Sequence, residues 1–280
     1  MKLQVIGDPV LHSKSPALHG AMLAALGLDV PYTAHVVRRG ELPEYLRWAR
    51  ENGVTGFNAT MPHKEDLLPL LDEAGPAARA VGAVNTVCLR DGKWVGFNTD
   101  GAGAVAALRD GLGVSPAGMT VTLLGAGGAA RAVALALAQA GAERVFVCNR
   151  TLGRAEELCA HDPLGRLSPN RFDLDTLGRC AAQSRLLVNC TSLGMAGCPG
   201  QFADFGFLDA LPGGASVFDL IYHPAETQLL SRAKGRGLRA MNGLPMLVWQ
   251  AVLALEHFLN RPLNRKALAA VAAGAASSLD

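Results

Sequence analysis

Residues 120–130 read Thr-Val-Thr-Leu-Leu-Gly-Ala-Gly-Gly-Ala-Ala, a β-branched run that breaks into a glycine turn and then into an alanine-rich stretch. The spacing is G-x-G-x-x-A, with Gly125, Gly127 and Ala130 at the fixed positions. A strand that enters a helix through such a turn demands a crossover to a second, parallel strand, which confines the segment to a doubly wound α/β sheet. The pattern predicts a strand over 120–124, a helix from the turn to Ala140 and a second strand over 144–148. Gly125 permits the tight turn, Gly127 lets the backbone approach a pyrophosphate, and Ala130 keeps the helix close to the strand. The helix N-terminus then presents free N–H groups to phosphate. The turn residues Gly125, Ala126, Gly127, Gly128 and Ala129 are therefore expected to bind a dinucleotide.

The second strand runs out into Asn149, Arg150 and Thr151. A site selective for NAD usually has a carboxylate there for the ribose 2′-hydroxyl. Here an arginine stands instead, and a guanidinium matches a 2′-phosphate that a carboxylate would repel. Arg154 follows four residues later, one helical turn on. The expected cofactor is NADP. The bland alternative is a pair of solvated arginines at a helix start.

The first hundred residues also alternate strand and helix. Strands are expected at 3–7, 32–37 and 54–58, helices at 16–27 and 42–52, and a third helix opening near Pro62. Two further strands, 83–89 and 94–97, flank the turn at 90–93, and a helix follows over 100–110. This reads as an open, mainly parallel sheet with helices on both faces. Glycines and prolines cluster from Gly111 to Gly118 before the pattern restarts. Later strands are expected at 186–190 and 216–219.

Three polar clusters fall where strands of the front half should end, the place where ligands of such sheets bind. The first spans His12 to Pro16, with Ser13 and Ser15 at a helix start. Its hydroxyls suit a carboxylate or ring hydroxyls, and Ser15 equally suits an N-cap. The second spans Asn58 to Lys64. In a first helical turn, Lys64 would oppose the helix dipole, which marks it for a lowered pKa and proton transfer; otherwise it is an exposed lysine. The third joins Asn85 and Thr86 to Asn98, Thr99 and Asp100. Asp100 is read either as an N-cap or as the acid–base partner of Lys64.

Together these stretches resemble the shikimate dehydrogenase family. The matching segments are 12–16, 58–64, 82–86, 98–101, 125–129, 149–151, 189–195, 219–222 and 243–250, in order along nearly the whole chain. The resemblance implies two α/β domains. A substrate domain would span 1–100, joined by C-terminal helices from 243–280, and a Rossmann NADP-binding domain would span 101–242. It implies reversible reduction of 3-dehydroshikimate to shikimate by NADPH, a step of the chorismate pathway to aromatic amino acids. Lys64 and Asp100 would form the catalytic pair. Ser13, Ser15, Asn58, Thr60, Asn85, Tyr222 and Gln250 would hold the substrate, and Thr191, Leu220 and Gly243 would join the cofactor site. A quinate/shikimate dehydrogenase of broader specificity, or a non-catalytic ligand sensor, would use the same scaffold.

Composition removes other classes. Net charge is +2, and lysine and arginine form no run, so a nucleic-acid partner is not expected. The six cysteines make no C-x-x-C pair and no zinc spacing with histidine, which predicts free thiols in a reducing cytoplasm and no metal. No apolar run reaches membrane-spanning length, and the N-terminus carries no signal-peptide pattern. The expected partner is a small molecule, and the expected assembly a monomer or a homodimer.

Overall fold

A computed structural model describes residues 1–277, so the end of the expected C-terminal segment, 278–280, lies outside the described residues. In chain order the elements are β1 (Leu3–Gly7), α1 (Ser15–Ala25), β2 (Tyr32–Val36), α2 (Leu42–Glu51), β3 (Gly56–Ala59), β4 (Glu73–Ala74), α3 (Pro76–Val81), β5 (Thr86–Arg90) and β6 (Lys93–Phe97). They continue as α4 (Asp100–Gly111), β7 (Thr120–Leu124), α5 (Gly128–Gln139), β8 (Arg144–Asn149), α6 (Leu152–Ala160), β9 (Leu167–Arg171), α7 (Leu174–Ala182) and β10 (Leu186–Asn189). The last are β11 (Ser216–Asp219), α8 (Gln228–Gly235), β12 (Arg239–Met241), α9 (Leu244–Leu259) and α10 (Arg265–Ser277). Among the described residues, 1–103 and 248–277 form one compact unit, and Ala104–Leu247 form a second.

The first unit has a six-stranded sheet in the order β2-β1-β3-β5-β6-β4. β1 pairs parallel with β2 and β3, and β4 pairs parallel with β6. β3–β5 and β5–β6 are antiparallel, so a hairpin is set into the parallel frame. Its tip is the two-residue turn Asp91-Gly92, with φ of 49° and 77°, the left-handed pair that tight hairpins require. Alternation along the strands divides the core. Ile6, Phe57 and Ala59 pack with Leu42, Tyr45 and Leu46 of α2 on one face. On the other face, Gly56 lies against Phe258 of α9, because a Cβ there would stand 2.7 Å from that ring.

One expected helix is absent. After Pro62 the chain makes turns and a short 3-10 segment, Leu68–Leu70. The Lys64 carbonyl accepts instead from the Val84 N–H at 2.7 Å, and Pro69 has no N–H to continue a ladder. The dipole argument for Lys64 therefore fails, because no helix begins there.

The second unit is a six-stranded parallel sheet in the order β12-β11-β10-β7-β8-β9. Numbered within the unit this is 6-5-4-1-2-3, the doubly wound dinucleotide-binding order. Leu124, Cys148, Leu187 and Val217 from its central strands share a core with Leu177 of α7 and Leu229 of α8. All six cysteines are free. Among the described residues there is no cluster suited to a metal, and no helix is long and apolar enough to cross a membrane.

Candidate functional site

In the first unit, the loops that leave β1, β3 and β6 carry the polar clusters. The β1 and β3 loops are joined by a hydrogen bond from the Asp8 N–H to the Met61 carbonyl, 3.1 Å. Gly7 ends β1 where a Cβ would collide with the Thr60 side chain, so a glycine lets Thr60 close over the strand end. Ser13 lies just before α1, and its Oγ accepts from the Ser15 N–H at 3.2 Å. Lys14 between them donates to the Ala276 carbonyl in the last turn of α10, where a helix end favours a cation. No side-chain hydrogen bond caps α1, so Ser15 is not its N-cap; it is the first helical residue, followed by Pro16.

Lys64 and Asp100 come together. Lys64 Nζ donates to Asp100 Oδ2 at 2.6 Å, and the carboxylate is buried while the lysine is 28% exposed, enough for a ligand to reach it. The other carboxylate oxygen, Oδ1, accepts from Asn85 Nδ2 at 2.7 Å. Asp100 is the first residue of α4, but its carboxylate does not cap it; its own N–H is held by Asn98 Oδ1 at 3.1 Å. Asn85 also donates to Thr99 Oγ1 at 2.9 Å and stands 3.4 Å from Gln250 Oε1. Thr99 Oγ1 donates to the Gln250 carbonyl at 3.1 Å, which ties α9 to the same cluster.

That approach of α9 depends on Gly103. A Cβ on Gly103 would stand 2.8 Å from Gln250 N and 3.0 Å from its Cα. Asn58 lies one step behind the pair, 6% exposed, with both amide protons used inside the protein: Nδ2 donates to the Asn85 carbonyl and to Thr86 Oγ1, each at 3.0 Å. Its Oδ1 accepts from the Tyr32 hydroxyl at 2.7 Å, a buried partner that the sequence alone did not single out.

In the second unit, the turn after β7 has the expected geometry for a phosphate. Gly125 has φ of 105°, a conformation that side-chain residues avoid, and a Cβ there would stand 3.2 Å from the Cys190 carbonyl oxygen. Nothing lies within 4 Å of the Cβ position of Gly127, and Gly127 caps α5 with no side-chain hydrogen bond. Ala126, Gly128 and Ala129 sit within or beside this cap. A backbone cradle with space above it and a helix N-terminus without a side-chain acceptor fits a pyrophosphate. Arg150 and Arg154 are both exposed beyond β8, and Asn149 Nδ2 donates to the Thr151 carbonyl at 2.9 Å, closing the turn that carries Arg150.

The remaining cofactor candidates hang on a buried carboxylate. Asp219 accepts from Asn189 Nδ2 at 2.9 Å, Thr227 Oγ1 at 2.6 Å and the Ile221 N–H at 3.1 Å. Burial raises its pKa, and these three donors oppose the shift. Asn189 Oδ1 in turn holds Thr191 through its N–H and its hydroxyl. Gly243 packs on the Leu220 carbonyl and donates its N–H to the Ile221 carbonyl at 3.0 Å. Thr191, Leu220 and Gly243 are thus positioned by one network at the carboxyl ends of β10 and β11. Tyr222 follows on the same loop and is 38% exposed.

Two family models match this chain. The shikimate dehydrogenase substrate binding domain matches residues 5–87, and shikimate / quinate 5-dehydrogenase matches residues 112–194. The chain belongs to the shikimate dehydrogenase family. It is 42% identical over 258 residues to the shikimate dehydrogenase (NADP(+)) of Geobacter sulfurreducens, covering 91% of this chain and 89% of that one. It is also 42% identical to the shikimate dehydrogenase (NADP(+)) of Symbiobacterium thermophilum, over 97% of this chain and 94% of the relative. Among solved structures, the shikimate 5-dehydrogenase of Thermus thermophilus in complex with NADP(H) and shikimate is 38% identical. It superposes with a TM-score of 0.83 and covers 98% of this chain and 99% of that one. Family membership accounts for both halves at once, a polar cluster on one unit and a dinucleotide cradle on the other.

Proposed function

We propose that this chain is an NADP-dependent shikimate dehydrogenase that interconverts 3-dehydroshikimate and shikimate in aromatic amino acid biosynthesis. The observation that carries the reading is the Lys64–Asp100 pair, 2.6 Å apart, with the second carboxylate oxygen already held by Asn85. In this reading residues 1–100, with the C-terminal helices, bind the substrate, and 101–242 bind the cofactor. Bound NADPH supplies a hydride to the ring carbonyl carbon. Lys64 Nζ–H donates a proton to the carbonyl oxygen, and its charge stabilises the alkoxide as it develops. Asp100 Oδ2 holds the ammonium in place, and in the reverse direction Lys64 Nζ takes the hydroxyl proton back. Ser13, Ser15, Asn58, Thr60, Asn85, Tyr222 and Gln250 supply the polar surround for a carboxylate and ring hydroxyls.

Arg150 supports NADP over NAD, because it stands where a carboxylate would otherwise meet the ribose, and Arg154 stands one turn further on. The reading places the enzyme in the cytoplasm as a monomer or homodimer. The description of the second matching family model names quinate beside shikimate, which keeps a broader quinate/shikimate dehydrogenase as a second reading. A sensor on this scaffold has no use for the proton donor, and the formed Lys64–Asp100 pair weighs against it.

The deciding experiment follows NADPH oxidation with 3-dehydroshikimate, set beside NADP and NAD reduction with shikimate and with quinate. Highest kcat/KM for shikimate with NADP supports the proposal. Equal or better turnover of quinate supports the second reading, and no turnover with any pairing overturns both.

A further inference from the structure

Behind the Lys64–Asp100 pair runs a line of buried side chains whose hydrogen-bond directions are fixed. Two backbone groups fix them, because each can play only one role. The Asn85 carbonyl can only accept, so the amide edge of Asn58 that faces it at 3.0 Å must be Nδ2, and Asn58 Oδ1 must face Tyr32. The Tyr32 hydroxyl then donates to Oδ1 at 2.7 Å. The Thr99 N–H can only donate, so the Asn85 edge that faces it at 2.9 Å must be Oδ1. Between these ends lies Thr86. Its Oγ1 accepts from Asn58 Nδ2 at 3.0 Å and donates to Asn85 Oδ1 at 2.9 Å. Asn85 Nδ2 is left to face Asp100 Oδ1 at 2.7 Å.

Every member is buried: Tyr32 is 8% exposed, Thr86 0% and Asn85 2%. Water cannot replace a lost partner at such sites without cost. The far end is anchored as well. The Tyr32 ring stacks on His19 with centroids 4.2 Å apart and planes within 3°. We infer that Tyr32 and Thr86 are positioning residues for the reaction, acting through Asn58 and Asn85 to hold the Asp100 carboxylate in the orientation that aims Lys64. Neither touches Lys64 or Asp100 directly. This rests on the reading of Lys64 and Asp100 as the acid–base pair.

Without the Thr86 hydroxyl, Asn85 Oδ1 loses a donor and Asn58 Nδ2 an acceptor at one stroke. The Asn85 amide then holds Asp100 less rigidly, while the dinucleotide cradle lies in the other unit and contains none of these groups. The test uses the full-length enzyme with Thr86→Val, Thr86→Ser, Tyr32→Phe and Lys64→Ala, each assayed for shikimate oxidation by NADP. Thr86→Val is expected to lower kcat about tenfold, the scale of one buried neutral hydrogen bond. KM for NADP should stay within about twofold. Tyr32→Phe removes a single oxygen, keeps the ring stack, and should lower kcat by about threefold to tenfold. Thr86→Ser keeps the hydroxyl and should restore kcat to within about twofold of the parent.

Parental kcat in both Thr86→Val and Tyr32→Phe, with Lys64→Ala inactive, would overturn the relay alone. Equal loss in Thr86→Ser and Thr86→Val would overturn it too, since packing and not the hydroxyl would then be at issue. Full turnover in Lys64→Ala would overturn the acid–base reading and the relay with it.

Discussion

The imidazole of His19 lies flat on the ring of Tyr32, fully buried, with neither ring nitrogen hydrogen-bonded. Burial alone pushes its pKa down from the ordinary 6.5 to about 3. The unfolded chain therefore binds a proton at His19 as pH falls below about 6.5, and the folded chain does not until about 3. Stability from this residue is intact above the unfolded value and is lost steadily as pH falls through that window, by about 1.4 kcal/mol per pH unit. Urea titrations of the parent and of His19→Phe across this range should show a shallower decline in the variant. Parallel declines would show that His19 titrates alike in both states.

Lys64→Ala should lower kcat by about 10²–10⁴-fold, the usual contribution of a positioned proton donor. KM for NADP should barely change, since the lysine lies in the other unit from the cradle. Lys64→Arg should not restore the rate, because a guanidinium does not give up its proton. Steady-state kinetics in both directions measure this, and retained turnover in either variant would remove Lys64 from the chemistry.

Arg150→Asp should raise KM for NADP by about 10–100-fold, from the loss of charge-assisted hydrogen bonds and the added repulsion. KM for NAD should fall or stay level, because it has no 2′-phosphate. The ratio of kcat/KM for the two cofactors is the readout, and an unchanged ratio would leave Arg150 as a solvated arginine.

Two helix glycines should respond in opposite ways to alanine. Gly103→Ala places a methyl 2.8–3.0 Å from the Gln250 backbone, so α4 and α9 must part, at about 1–3 kcal/mol. The same change displaces Gln250 and should raise KM for the acid substrate. Gly178 in α7 has open space at its Cβ position, and there alanine should stabilise by about 0.5–1 kcal/mol. Thermal melts of the two variants check both signs.

Local signals in the sequence carried far where one backbone unit performs the task. The β7 turn, Arg150 beyond β8 and the strand–helix alternation could all be read from spacing, because each depends on residues close along the chain. Lys64 was singled out by its segment, but on a helix that does not form; what gives it a partner is the β3–β5–β6 arrangement, which brings Asp100 within 2.6 Å across 36 positions of sequence. Tyr32 and His19 gave no sign, since an aromatic at a strand start and a histidine in a helix are ordinary until their burial is known. Gly103 gives no sign for the same reason, and Asp219 shows only as the end of a strand and the start of a matching segment, not as a buried carboxylate. A close helix crossing and a buried carboxylate are tertiary facts. The strands β9 and β12 leave no readable signal, being a polar edge strand and a three-residue strand with little apolar pattern.

The β5–β6 hairpin sets the spacing of this site from the far end. Its rungs run from Arg90↔Lys93 at the tip to Thr86↔Phe97, and one step further the Asn85 N–H meets the Phe97 carbonyl at 3.1 Å. The pairing, not the tip, keeps Asn85 and Asp100 in step, and the five rungs with a step at each end put Asp91-Gly92 about 20 Å away along the strand. The tip is thus a grafting point. A fluorophore or a foreign peptide inserted between Asp91 and Gly92 would ride on the enzyme while the chemistry continues, whereas deleting one residue within either strand would turn the working side chains over to the opposite face.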